Sequence, residues 1–152
     1  MAEQKEIAWK IYWSDYTTNS YLYGSKIVFH DKGHVEFENK LMPPGTVVNR
    51  WYSLTNFQAQ KIEPSLPIID GEIRYRIAAN IETEDSKEVL LRLVYYDRYK
   101  EEIGNQVITG LKGEFQCPLR TYSYELQLIS GGVTRLDFHW IIIQEVIDES
   151  NA

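Results

Sequence analysis

Apolar and polar residues alternate with a period of two along much of this chain, which is the mark of strands that bury one face. From Glu72 to Glu82, Ile73, Tyr75, Ile77, Ala79 and Ile81 fall on one side, opposite Glu72, Arg74, Arg76 and Asn80. Glu88 to Asp97 puts Val89, Leu91, Leu93 and Tyr95 on one side, with Leu90, Arg92, Val94 and Tyr96 on the other, so both faces are partly covered. Tyr122 to Ser130 sets Tyr122, Tyr124, Leu126 and Leu128 against Ser123, Glu125, Gln127 and Ile129. Thr134 to Ile147 predicts a long strand with Leu136, Phe138, Trp140 and Ile142 on one face and Asp137, His139, Ile141 and Ile143 on the other.

Shorter strands are predicted at Ile7–Trp13, Lys26–His30, His34–Glu38 and Thr46–Tyr52. Turn chemistry separates them. Asp31-Lys32-Gly33 makes a compact turn, Thr83–Lys87 has hairpin length, and Gly131-Gly132 tolerates positive φ. Ser53 to Glu63, bounded by Pro64 and Pro67, has room for a helical turn or two. The segment from Trp51 to Gly71 is the longest irregular stretch, and long loops on a rigid scaffold often carry function. About eight to ten short strands with regular turns predict an all-β, two-sheet antiparallel β-sandwich of jelly-roll type. Its core is expected to include Tyr75, Tyr95, Phe138 and Trp140.

The length of 152 residues suits one domain spanning 1–152, with residues 1–6 and 148–152 as frayed tails. The net charge of −6 and the absence of a basic run argue against nucleic acid and against an electrostatic membrane anchor. The lone Cys117 rules out an intrachain disulfide. Met1–Lys10 has no apolar h-region, and no stretch approaches 18 apolar residues, so the expected compartment is the cytoplasm.

Catalytic groups are sparse. His30, His34 and Glu36 sit about a hairpin turn, where a metal reading competes with that of a solvated tip, and the solvated tip is the simpler. His139 has no nucleophile motif to partner it, so a structural histidine is expected. Cys117, before Pro118, reads as a small buried hydrophobe. No phosphate loop or dinucleotide fingerprint occurs, and pairing Glu101 with Glu102 or Glu82 with Glu84 as glycosidase carboxylates is arbitrary. No cofactor is expected, with a structural Ca²⁺ left open. Asp97-Arg98, after a strand end, reads as an exposed ion pair or as a pair that orients the loop, and a structural role is expected.

Aromatic residues, 13% of the chain, give a better lead. Tyr and Trp combine an apolar ring with a polar tip, which suits both sugar stacking and protein interfaces. About half should simply fill the core. The expected partner- or glycan-binding residues are Tyr21, Tyr23, Trp51, Tyr52, Asn56, Gln58, Tyr96 and Tyr99. On this reading Trp51→Ala weakens binding more than it weakens the fold.

A set of motifs spans most of the chain in a characteristic order: Tyr21–Ser25, Leu41–Thr46, Trp51, Ser53–Gln58, Pro64–Pro67, Gly71–Tyr75, Tyr96–Arg98 and Gly131-Gly132. Together they resemble the third, small Asp protein of the bacterial accessory Sec secretion system. Phe57 suits the family pattern, which often has Tyr there. Cys117 departs from it, since an aromatic is expected before Pro118. The resemblance implies a carbohydrate-binding-module-like fold and a non-catalytic adaptor role. The implied partners are the two larger Asp proteins, the accessory SecA motor and a serine-rich-repeat glycoprotein substrate. It implies a cytoplasmic protein, peripheral to the membrane through the complex. The alternative is a stand-alone module recognising N-acetylglucosamine-type glycans. A third reading, a glycan-modifying esterase or lyase, lacks a nucleophile motif.

Overall fold

A computed structural model describes residues 8–13, 20–53, 66–67, 69, 71, 73–83 and 88–146. Within them the chain forms strands and turns with no helix. The strands are β1 Ala8–Ile11, β2 Lys26–Asp31, β3 His34–Glu38, β4 Val47–Tyr52, β5 Tyr75–Thr83, β6 Val89–Tyr96, β7 Glu102–Ile108, β8 Lys112–Phe115, β9 Ser123–Ser130 and β10 Arg135–Glu145. They build the expected two-sheet antiparallel sandwich. One sheet runs β2-β3-β10-β5-β8, with β1 also on β10; the other runs β4-β9-β6-β7. The helical turn expected after Ser53 lies outside the described residues, as do the two tails.

Strand β10 organises the first sheet. Its first half pairs with β3 through Arg135↔Glu38 to Phe138↔Val35, and its second half pairs on the same edge with β1 through Ile141↔Ile11 to Gln144↔Ala8. Between Phe138 and Trp140 the register against β5 shifts, a β-bulge that gives β10 one extra residue. The bulge reverses the phase of alternation. Leu136 and Phe138 face the core before it, and Ile141 and Ile143 face the core after it. This corrects the expectation that Trp140 and Ile142 continue the buried face. Trp140 instead lies half-buried on the outside, with Lys10 Nζ 4.0 Å from its ring centroid.

Between the sheets, four large rings lock together. Trp51 of β4 stacks on Phe138 of β10 at 5.5 Å between centroids, and Trp13 stacks on Phe37 of β3 at 5.7 Å while meeting Phe138 edge-on at 5.6 Å. The indole N–H groups are both satisfied. Trp51 Nε1 donates to the Tyr12 carbonyl at 3.0 Å, and Trp13 Nε1 donates to Ser20 Oγ at 3.0 Å. Tyr75, Tyr95 and Phe138 are core residues, as the alternation predicts.

Candidate binding surfaces

The sheet of β4, β9, β6 and β7 turns one face to the core and one outward, and the strand registers decide which residues meet. One core-facing row is Trp51↔Leu126↔Leu93. Alternation therefore puts the neighbouring rows, Tyr52↔Glu125↔Val94 and Arg50↔Gln127↔Arg92, on the other face. Glu125 Oε2 accepts from Arg50 Nη1 at 2.8 Å and also from Gln127 Nε2. Burial raises the pKa of Tyr52 and of Tyr96, and the Glu125 carboxylate adds to both shifts. The two rings thus stand beside one buried carboxylate. Arg92 Nε and Gln127 Oε1 are buried there without a hydrogen-bond partner, which marks the face as polar and incompletely satisfied.

A second surface lies at one end of the sandwich. Asp97 Oδ1 accepts from the backbone amides of Tyr99 at 2.8 Å and Glu101 at 3.1 Å, which shapes the turn between β6 and β7. The expected structural role of Asp97 is met through these amides. Across from this turn, Thr121 N donates to the Pro118 carbonyl and Tyr122 N to the Tyr96 carbonyl. The two segments enclose an open cleft of about 510 Å³ lined by Asp97, Arg98, Tyr99, Leu119, Arg120, Thr121 and Tyr122. Tyr99 is 76%, Leu119 80% and Tyr122 64% exposed.

A third surface lies at the opposite end. The buried Asn39 side chain donates to the Tyr23 carbonyl at 2.8 Å and to Ser25 Oγ at 2.9 Å, and accepts from Leu41 N at 2.9 Å. This ties the segment 21–25 to the segment 39–41. Gly24, at φ +77°, turns the chain so that Leu22, Tyr23 and Leu41 are left exposed together. From Ser123 to Ser130, β9 runs from the cleft to this corner, a separation of roughly 24 Å at about 3.4 Å per residue.

The three histidines form a stack on the outer side of the other sheet. His30 and His34 lie 4.5 Å apart between ring centroids, and His34 and His139 5.1 Å. His34 Nε2 donates to Asp137 Oδ1 at 2.9 Å, and His139 Nδ1 donates to the Gly33 carbonyl at 2.8 Å. A hydrogen bond from Arg135 lowers the pKa of Glu36. Stacked rings cannot aim their lone pairs at one point. Among the described residues no group of three or more His, Cys, Asp or Glu side chains is placed to hold a metal ion.

Of the residues predicted to bind, Tyr23 and Tyr99 are exposed at opposite ends, Tyr52 and Tyr96 share the Glu125 face, and Tyr21 is half-buried against the core. Trp51 is only 2% exposed, so it offers no contact surface and belongs to the core. Asn56 and Gln58 lie outside the described residues. Sequence reading missed Leu41, Leu119 and Tyr122, whose signal is an apolar residue within a turn. It also missed Arg50, Glu125 and Gln127 as a group, because only strand register brings them together. Cys117 is buried as expected, with its thiol pKa pushed up to about 12 by desolvation, so it is a poor nucleophile near neutral pH.

The family model for the accessory Sec secretory system protein ASP3 matches residues 20–145. The chain belongs to that family. It is 39% identical over 133 residues to the ASP3 protein of Streptococcus gordonii, covering 88% of this chain and 84% of that one. Among solved structures it superposes with a TM-score of 0.85 on a chain of the Glycosylation Associate Protein (Gap123) complex from Streptococcus agalactiae. There the identity is 32%, over 93% of this chain but only 46% of the other. The structure of accessory secretory proteins 1, 2 and 3 of Streptococcus pneumoniae matches at TM-score 0.85 and 24% identity, over 97% of this chain and all of that one. Outside the family, the CBM22-1–GH10 modules of Clostridium thermocellum xylanase 10B, solved with xylohexaose, match at TM-score 0.55 and 13% identity, over 99% of this chain and 30% of that one. That likeness bears on the fold alone. The chain is therefore a component of the accessory Sec system. Among the described residues no helix is long and apolar enough to cross a membrane.

Proposed function

We propose that this protein is a non-catalytic adaptor that joins the two larger Asp proteins. With them it helps deliver glycosylated serine-rich-repeat adhesins to the accessory SecA motor and its channel. It works in the cytoplasm and reaches the membrane only through that complex. The observation that carries this reading is the pair of exposed apolar clusters, Leu22–Tyr23–Leu41 and Tyr99–Leu119–Tyr122, at opposite ends of one rigid sandwich. Two separated apolar surfaces suit a subunit that contacts two neighbours at once. The complexes solved for its relatives support it, as does the chemistry of the chain, whose imidazoles are stacked and whose thiol is closed. Co-expressed with both larger Asp proteins, the chain should elute with them on size exclusion. The variant Leu22→Ala/Tyr23→Ala/Leu41→Ala should lose one of them while melting near the wild-type temperature. A wild-type chain that always elutes alone sinks the reading.

A second reading is favoured by the Glu125 face. Two half-buried tyrosines beside the partly exposed Arg50 guanidinium match the C–H faces and hydroxyls of a sugar. Titrated with a serine-rich peptide bearing N-acetylglucosamine, the chain should bind calorimetrically, and Tyr96→Ala should weaken binding about tenfold, equivalent to about 1.4 kcal/mol. Heat silent at millimolar glycopeptide counts against a sugar site.

A further inference from the structure

We infer that the cleft between the β6–β7 turn and the segment 118–122 receives an acidic segment of a partner protein that carries an apolar anchor. The inference rests on the adaptor reading and names what one of its two ends holds.

The cleft is built before any partner arrives. Asp97 pins its turn through the Tyr99 and Glu101 amides, and backbone bonds Lys100 N to the Asp97 carbonyl and Tyr122 N to the Tyr96 carbonyl hold its two walls. Gly71 lets the second wall pack closely, since a Cβ there would come within 3.1 Å of the Pro118 carbonyl oxygen. A preformed cleft spares the ordering cost that flexible loops incur on binding. Its volume of about 510 Å³ accommodates a few side chains. Tyr99, Leu119 and Tyr122 are exposed together there and supply apolar wall.

Charge decides the kind of partner. Arg50, Arg74, Arg76 and Arg135 each have a carboxylate partner within the chain. Arg98 and Arg120 both line the cleft and have no ionic partner among the described residues. Among the described residues that line the cleft the one carboxylate is Asp97, and it is engaged by backbone amides. Its uncommitted charges are therefore two guanidinium groups, in a chain of net charge −6. A guanidinium fork binds carboxylates in pairs of parallel hydrogen bonds. Glu101 and Glu102 stand exposed just beyond the cleft. They would repel a long polyanion but leave space for a short acidic stretch seated between the arginines.

The test is the association kinetics of the full chain with a purified assembly of the two larger Asp proteins, at low salt and at high salt. Arg98→Glu/Arg120→Glu should slow association about tenfold at low salt and flatten its salt dependence. Tyr99→Ala/Leu119→Ala should act on dissociation instead, raising Kd about tenfold or more. All four residues are exposed, so the melting temperature of each variant should match the wild type and exclude misfolding as the cause. Wild-type kinetics from the charge-reversed variant at both salts, or tighter binding by it, overturns the inference and leaves the adaptor reading standing. A wild-type chain that fails to bind the assembly removes both.

Discussion

Trp51→Ala should unfold more easily than the wild type by about 3–5 kcal/mol, the range for removing a large aromatic from a packed core. For a domain of this length that corresponds to a melting temperature lower by roughly 6–20 °C. Thermal and urea denaturation followed by circular dichroism would measure it. The reason lies in what the ring touches. It stacks on Phe138 at 5.5 Å and meets Trp13 edge-on at 6.4 Å, so it joins β4 of one sheet to β10 of the other. Its N–H also satisfies the Tyr12 carbonyl. Alanine leaves a void between the sheets and removes that donor, and the surrounding rings cannot collapse to fill it. An unchanged melting temperature combined with lost partner binding would return Trp51 to the surface role that its position beside the long loop suggests.

Gly131→Ala should cost about 1–3 kcal/mol, as forced overpacking does. A Cβ at residue 131 would stand 2.6 Å from the backbone oxygen of Glu88, and backbone cannot swing aside as a side-chain tip can. The same oxygen accepts from Gly131 N at 2.8 Å, so relieving the clash stretches that bond. The strain falls where β9 ends against the start of β6, beside the pair Ser130↔Val89. Amide exchange should show lowered protection at this end of the β6–β9 ladder beyond the global loss of stability. Its neighbour Gly132 is constrained differently. Its φ of +115° is a conformation that residues with side chains rarely adopt, although a Cβ there would meet nothing within 4 Å. If Gly131→Ala is as stable as the wild type, the Glu88 backbone is not held where the packing places it.

The pair Gly131-Gly132 shows both the reach and the limit of the sequence. A turn was legible, but only Gly132 uses positive φ, while Gly131 is required by close approach. Strand β5, with one clearly buried face, was legible from alternation, and so were β6 and β9, which are largely buried on both faces. Strands β7 and β8 were not, because both lie at sheet edges where polar residues reach solvent and Gly104 and Gly113 interrupt the pattern. The bulge at Phe138/Trp140 was hidden too, since one extra residue moves Trp140 outward without altering composition. The surfaces divide in the same way. Tyr23 and Tyr99 could be picked out because exposed aromatics beside turns invite a binding reading. The Glu125 face could not, because Arg50, Glu125 and Arg92 come from three strands whose mutual register no single stretch encodes.

The position of β10 bears on how the chain folds. Among the described residues β10 pairs with β1, β3 and β5, all of which precede it in sequence. On the ribosome those three strands emerge with no centre to assemble on, and their pairing edges stay open until β10 follows. Closing the first sheet then requires contacts between residues near 8 and residues near 144, a long loop to close before any pairing rewards it. Folding therefore belongs to the slow class set by non-local pairing, on a timescale of roughly milliseconds to seconds. In that interval the unpaired apolar strands are the part of the molecule most exposed to aggregation.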